Sequence, residues 1–396
     1  MTTRKDEPAA PETLLAHVGG DPFTRHGAVN PPVYHASTVL FRSVQELLSP
    51  DVVQRRTWRY GRHGSPTSDA FEAAMAELEG GCRAQVFPSG LSACTTTLLA
   101  YAESGGHILV TDSAYAPTRN FARELLGRLG VTAEFYDPGI GAGIAALIRP
   151  ETKLIFLESP GSLTFEVQDI PAIVAAARAR GVATAIDNTW SGGVYLKPLA
   201  LGIDVSIHAA TKYICGHSDA MLGVAVCNEA SWPAVKRAAV LSGASAGPDD
   251  VYLALRGLRT LPARLARQGA TGLTLARWLA ARPDVVRVLH PALPDDPGHA
   301  LWRRDFSGTS GLFAFELPPT SRAALGAMLD SMRLFKMGFS WGGFESLILP
   351  LSFRRDRDVR PWTGQGPLLR ISAGLEAPDD LIRDLDEAFS RLKGAS

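Results

Sequence analysis

The chain has 396 residues, 46% hydrophobic and 20% charged, with 40 Lys and Arg against 40 Asp and Glu. That length suits two domains, and the apolar share disfavours disorder, collagen-like structure and coiled coil. A formal charge of +0 leaves no whole-chain basic footprint for nucleic acid. Four scattered cysteines, Cys82, Cys94, Cys215 and Cys227, form no C-x-x-C and no zinc-finger spacing. No metal is expected, and a reducing cytosol fits best. Residues 1–12 lack the apolar core of a secretory signal, and no run of about 18 apolar residues is present to cross a membrane.

Residues 1–65, rich in Pro, Gly and Thr, read as an extended or irregular arm. A helix follows, with Asp69 and Glu72 as its capping box, Phe71, Met75 and Leu78 at helical spacing, and Gly80 and Gly81 as its stop. Short apolar strands at 85–87, 107–111, 153–157, 183–186, 205–209 and 221–226 then alternate with helices at 91–102, 118–129 and 170–180. This alternation predicts a mostly parallel sheet covered on both faces. Beyond about residue 257 the texture becomes α+β. A long helix over 261–281 leads to an alternating strand over 311–317 and helices over 321–332 and 382–392. The expected units are an arm (1–65), a large domain (66–257) and a C-terminal domain (258–396). The mixed charges at 354–360 read as a solvated loop.

Ligands of parallel sheets sit at the carboxyl ends of the strands. Lys212 stands just past one such strand, where a desolvated amine can act as a nucleophile that forms a Schiff base. On position alone a surface lysine is the stronger reading. Asp187 ends another strand; it suits a ring nitrogen that must stay protonated, and equally a turn or helix N-cap. Ser89, Gly90 and Leu91 run from strand to helix, which makes either an anion site or a plain connection. Arg370 lies between apolar residues and needs a carboxylate, the protein's own or a ligand's. Residues 141–146 match G-x-G-x-x-A but follow a turn rather than a strand, so a dinucleotide site is not expected there.

Seven motifs in order carry a resemblance: Tyr60-Gly61-Arg62, Ser89-Gly90-Leu91-Ser92-Ala93, Tyr115, Glu158-Ser159-Pro160, Asp187-Asn188-Thr189, Thr211-Lys212-Tyr213 with Gly216-His217-Ser218-Asp219, and Arg370-Ile371-Ser372. From about residue 13 to the end, the chain resembles the pyridoxal-phosphate enzymes of cysteine and methionine metabolism, the trans-sulfuration family. The resemblance implies an aspartate-aminotransferase-like α/β fold (fold type I) and a homotetramer of two active dimers.

The resemblance also implies roles. Lys212 holds pyridoxal 5'-phosphate and then takes the substrate α-proton. Asp187 pairs with the pyridine nitrogen, and Tyr115, a catalytic residue with Lys212, stacks on the ring and offers its hydroxyl to the incoming amine. Ser89, Gly90, Leu91 and Thr211 surround the phosphate, which Tyr60 and Arg62 reach from a neighbouring subunit. Ser340 and Trp341 line the substrate side, and Arg370 clamps the α-carboxylate.

Trp341 and Pro160-Gly161-Ser162 resemble the β-acting branch, which implies α,β-elimination from cystathionine to homocysteine, pyruvate and ammonia. The rival is a γ-lyase or γ-synthase, which would release 2-oxobutyrate; a regulatory cofactor-binding protein is the remaining alternative. Ala209 stands where some relatives have Ser, and Leu91 where many have Met. His63 stands where β-acting relatives often carry a second arginine, and Asn120 where an acidic residue can occur. That pair implies weak discrimination between cystathionine and shorter substrates such as cysteine.

Overall fold

The computed structural model describes residues 9–49, 58–351 and 357–394. Among these residues, a seven-stranded sheet holds β1 (Arg83–Phe87), β2 (His107–Thr111), β3 (Thr132–Tyr136), β4 (Thr152–Glu158), β5 (Ala183–Asp187), β6 (Val205–His208) and β7 (Gly223–Cys227). Their order is β1-β7-β6-β5-β4-β2-β3. The five strands β2 to β6 run parallel, and β7 is antiparallel to both of its neighbours. Alternation at period two sends Ile108, Val110, Leu154 and Phe156 to one core and Leu109, Ile155 and Leu157 to the other. Both faces are therefore covered, and the carboxyl ends of β2, β4, β5 and β6 share one edge of the sheet.

An antiparallel sheet follows, with β8 (Arg287–Leu289), β9 (Leu312–Glu316), β10 (Leu347–Leu351) and β11 (Leu368–Ser372) in the order β10-β11-β9-β8. The helix Leu261–Ala280 joins the two cores. Its Leu261 and Leu265 pack with Phe71 and Val224, while Leu275 and Leu279 pack with Phe313 and Phe389. Burying each such leucine is worth about 1.5–3 kcal/mol. The helix thereby holds β11, and with it Arg370, against the edge of the large sheet.

Several expectations change. The helix Pro66–Glu79 is capped by Ser65 in a reciprocal box with Ser68, and Pro66 starts it. Asp69 instead accepts from Trp58 Nε1 at 2.6 Å, and Glu72 from the Val86 N–H at 2.9 Å. The arm is more than an irregular segment: Pro11–Ala16 is helical, and Leu15 is fully buried beside Phe71. Strands β3, β8, β10 and β11 were not expected. The charge run at 354–360 is not a free loop over its described part. Arg357 is buried against Thr164 and Glu166, and Asp112 accepts the N–H groups of Asp358, Val359 and Arg360 at 2.9–3.0 Å. Residues 354–356 lie outside the described residues.

Gly223 shows how closely β7 supports the turn after β1. A Cβ there would lie 2.1 Å from Ser89 O and 2.9 Å from Gly90 N. Gly223→Ala is expected to lower stability by about 1–3 kcal/mol in urea denaturation, as overpacking does, and to displace the Ser89–Gly90 turn.

Candidate active site

A cavity of about 520 Å³ opens at the shared strand edge. Ser89, Gly90 and Leu91 enter it after β1, Tyr115 after β2, Asp187 at the end of β5, and Thr211 and Lys212 after β6. The C-terminal unit adds Ser340 and Trp341, and Arg370 from β11. Tyr60 and Arg62 do not line it. They lie with His63 on a separate cavity of about 410 Å³.

Lys212 Nζ donates to Ser340 Oγ at 2.7 Å and lies 5.3 Å from the centroid of the Trp341 ring. Burial first, and the Arg370 charge second, pull its ammonium down to about 8, while Asp187 acts in the opposite direction. Ser340 sits at φ 87°, a left-handed conformation that costs a non-glycine residue about 1–3 kcal/mol. That bend lets one residue make two contacts, because Ser340 O also accepts from Arg370 Nη2 at 2.9 Å. Burial pulls the Arg370 guanidinium down to about 10, so it remains a cation at neutral pH.

Asp187 is held from three directions. Its Oδ1 accepts the Thr189 N–H at 3.0 Å and the Thr189 hydroxyl, while the Cys94 thiol approaches Oδ2 at 3.7 Å. Thr189 Oγ1 in turn accepts the Ala209 N–H at 2.9 Å, which ties the end of β5 to the end of β6. Behind this link, Asn188 Nδ2 and His208 Nε2 each lie 3.0 Å from Glu79 Oε1, fully buried. His208 is thus a core group that faces Glu79 through Nε2, not a residue of the cavity.

The helix Gly90–Ala100 presents its N-terminus to the cavity. Ser89 Oγ accepts the Ser92 N–H at 3.1 Å, and the amides of Gly90 and Leu91 lie in the first turn, outside the intrahelical ladder. A Cβ on Gly90 would lie 2.3 Å from Ala209 Cβ, so only glycine allows this close approach to the chain after β6. The Thr211 hydroxyl accepts the Leu222 N–H at 2.9 Å and lies 3.2 Å from Leu222 O.

Sequence reasoning gave no role to Glu158, which lines the cavity beside Asp187 in the β4–β5 register and accepts the Tyr115 N–H at 2.7 Å. Its signal was available: it ends an apolar strand, as Asp187 does. Cys94, Phe339 and Thr189 line the cavity too and carried no such signal. The G-x-G-x-x-A match at 141–146 forms a 3-10 turn and does not line this cavity.

The lowered Lys212 ammonium makes a direct test. Reductive methylation of the apoprotein, followed by peptide mapping, should show Lys212 modification rising with pH through about 8. Exposed lysines should follow the ordinary value of about 10.4.

Three comparisons place this arrangement among known proteins. A family model described as Cys/Met metabolism PLP-dependent enzyme matches residues 12–390. A cystathionine beta-lyase of Escherichia coli strain K12 is 45% identical over 391 residues, covering 96% of this chain and 98% of its own. The cystathionine beta-lyase of Salmonella typhimurium strain LT2 is also 45% identical, with the same coverage. A solved cystathionine gamma synthase from Xanthomonas oryzae pv. oryzae, in complex with aminoacrylate and cysteine, superposes with a TM-score of 0.90 at 31% identity, covering 98% of this chain and 100% of that one. The chain belongs to the Cys/Met metabolism PLP-dependent enzyme family.

Proposed function

We propose that this chain cleaves cystathionine by α,β-elimination, converting cystathionine and water to homocysteine, pyruvate and ammonia. The observation that carries the reading is the placement of Lys212 Nζ between Ser340 Oγ and the Trp341 ring, within electrostatic reach of Arg370.

The donor set fits pyridoxal phosphate. The first-turn amides of Gly90 and Leu91 suit the phosphate, with Ser89 and Thr211 beside them. Asp187 Oδ2 suits the pyridine nitrogen, because Thr189 occupies Oδ1. Tyr115 supplies a ring to stack, and Lys212 an amine to attach the carbonyl carbon. When bound, this cofactor supplies an electron sink for the pair left by the α-proton.

The remaining chemistry falls to the chain. Arg370 keeps donors beyond the one given to Ser340 O, and these fit the substrate α-carboxylate as a fork. An amine lowered to about 8 is partly neutral near pH 7.5, so Lys212 can accept the α-proton and hold it. Ser340 orients that amine. Trp341, Phe339 and Leu312 line the substrate side.

Tyr60 and Arg62 serve a neighbouring subunit in this reading, within a homotetramer of cytosolic location. Their place outside their own chain's cavity supports it, as does the exposure of Tyr60. Burial, then the charges of Arg62, Lys236 and Arg59, holds His63 below the ordinary imidazole range. It therefore carries less charge near neutral pH than a free imidazole would and grips a distal carboxylate weakly, and the grip weakens as pH rises through its lowered titration. Asn120, exposed at the end of the short helix Ala116–Asn120, adds no charge.

Purified protein given cystathionine should release thiol and pyruvate in equal amounts; 2-oxobutyrate would instead identify γ-elimination. Mixing inactive Arg62→Ala and Lys212→Ala variants should restore part of the activity after subunit exchange, and no recovery would count against sharing. His63→Arg should raise kcat/KM for cystathionine over cysteine by about tenfold, the scale of one added charge-assisted contact.

A further inference from the structure

Glu158 and Asp187 are register partners at the ends of adjacent parallel strands, and both line the cavity. Their surroundings differ. Asp187 receives an N–H and an O–H from Thr189. Glu158 receives one backbone N–H, that of Tyr115, at 2.7 Å on Oε2. Two neighbouring carboxylates lining one crevice cannot both hold full charge cheaply, and the one with fewer donors keeps a proton. We propose that Glu158 is a positioning residue for Tyr115. It acts as a neutral acid that fixes the tyrosine backbone and leaves the negative charge beside the cofactor ring on Asp187.

The inference rests on the cofactor reading above. Tyr115 begins the short helix Ala116–Asn120, and its N–H is the anchor between that turn and β4. The charged and titratable groups around Glu158 are consistent with a neutral carboxyl. Burial first, and Asp187 second, push it well above the usual carboxylate range. Glu166 pushes the same way, while the Tyr115 N–H and Arg357 oppose it. Arg357 is engaged with Thr164 and Glu166 rather than with Glu158. Burial first, and the Asp187 charge second, push the Cys94 thiol well above its ordinary value, so it too adds no charge beside Glu158.

The test uses three substitutions in the full chain. A glutamine offers one carbonyl acceptor and one donor group, the hydrogen-bonding pattern of the protonated acid. Glu158→Gln should therefore keep the cofactor Kd, the visible circular dichroism of the bound cofactor and the turnover within about threefold of wild type. Glu158→Ala should weaken the dichroic band and lower turnover by about tenfold to a hundredfold, because a misplaced ring loses orientation. Glu158→Asp, one methylene shorter, should behave like Glu158→Ala. Melting of each apoprotein separates folding from positioning, and rescue by Gln alone is the signature sought. A loss of about tenfold or more in Glu158→Gln would show that the charge is needed and overturn the neutral-acid role. An unchanged band and turnover in Glu158→Ala would overturn the positioning role. The dichroism and the cofactor Kd are read without substrate, so a failure to cleave cystathionine leaves them standing. A wild type that binds no cofactor overturns both readings.

Discussion

The burial of the Lys212 amine organises this structure. An ammonium taken out of water loses hydration that a single hydroxyl, Ser340 Oγ, only partly replaces. The nearby Arg370 cation makes the charged form costlier still, and Asp187 compensates in part. The result is a lysine that gives up its proton near neutral pH and stays nucleophilic. The cost is carried by the packing around it, with Val205 and Ile207 of β6 and Leu369 and Ile371 of β11 all fully buried.

Those cores explain why residues from distant parts of the chain meet with fixed spacing. The parallel strands deliver their carboxyl ends to one edge, and the helix Leu261–Ala280 locks the second sheet to it. The left-handed bend at Ser340 then joins the two units at the reacting centre, touching Lys212 through its side chain and Arg370 through its carbonyl. Strain at that position is consistent with a site whose geometry is over-determined by its neighbours. On the other wall, the Asp187–Thr189–Ala209 chain fixes the carboxylate through Oδ1, with the Cys94 thiol 3.7 Å from Oδ2.

The sheet's central strands were legible because burial on both faces writes them as continuous apolar runs, as in β2, β4 and β5. Strand β3, at the sheet edge, alternates Thr132, Ala133 and Glu134 with partial exposure, and its pattern is too weak to stand alone. Strand β10 carries Pro350, which argues against a strand in sequence, yet it sits at the edge of its sheet where proline is tolerated. The cap of the first long helix was misread because Ser65 and Ser68 box each other, while the acidic Asp69 and Glu72 serve tertiary partners. Lys212, Asp187 and Gly90 were visible from strand-end position, and the resemblance gave them roles. Glu158 had the same positional signal, but its neighbour Asp187, one helix and one strand further along the sequence, becomes its partner only through the register. Tyr60 and Arg62 lie on a separate cavity from Lys212, a placement that their position in the sequence does not reveal.

The most direct test of the central claim is borohydride reduction of the cofactor-loaded protein followed by peptide mapping. The account predicts a pyridoxyl label on Lys212, with loss of the visible absorbance. Lys197, also partly buried and lowered by desolvation, donates instead to Leu78 O and Gly193 O and should remain unlabelled. A label on Lys197 or another lysine, with Lys212 unmodified, would contradict the account.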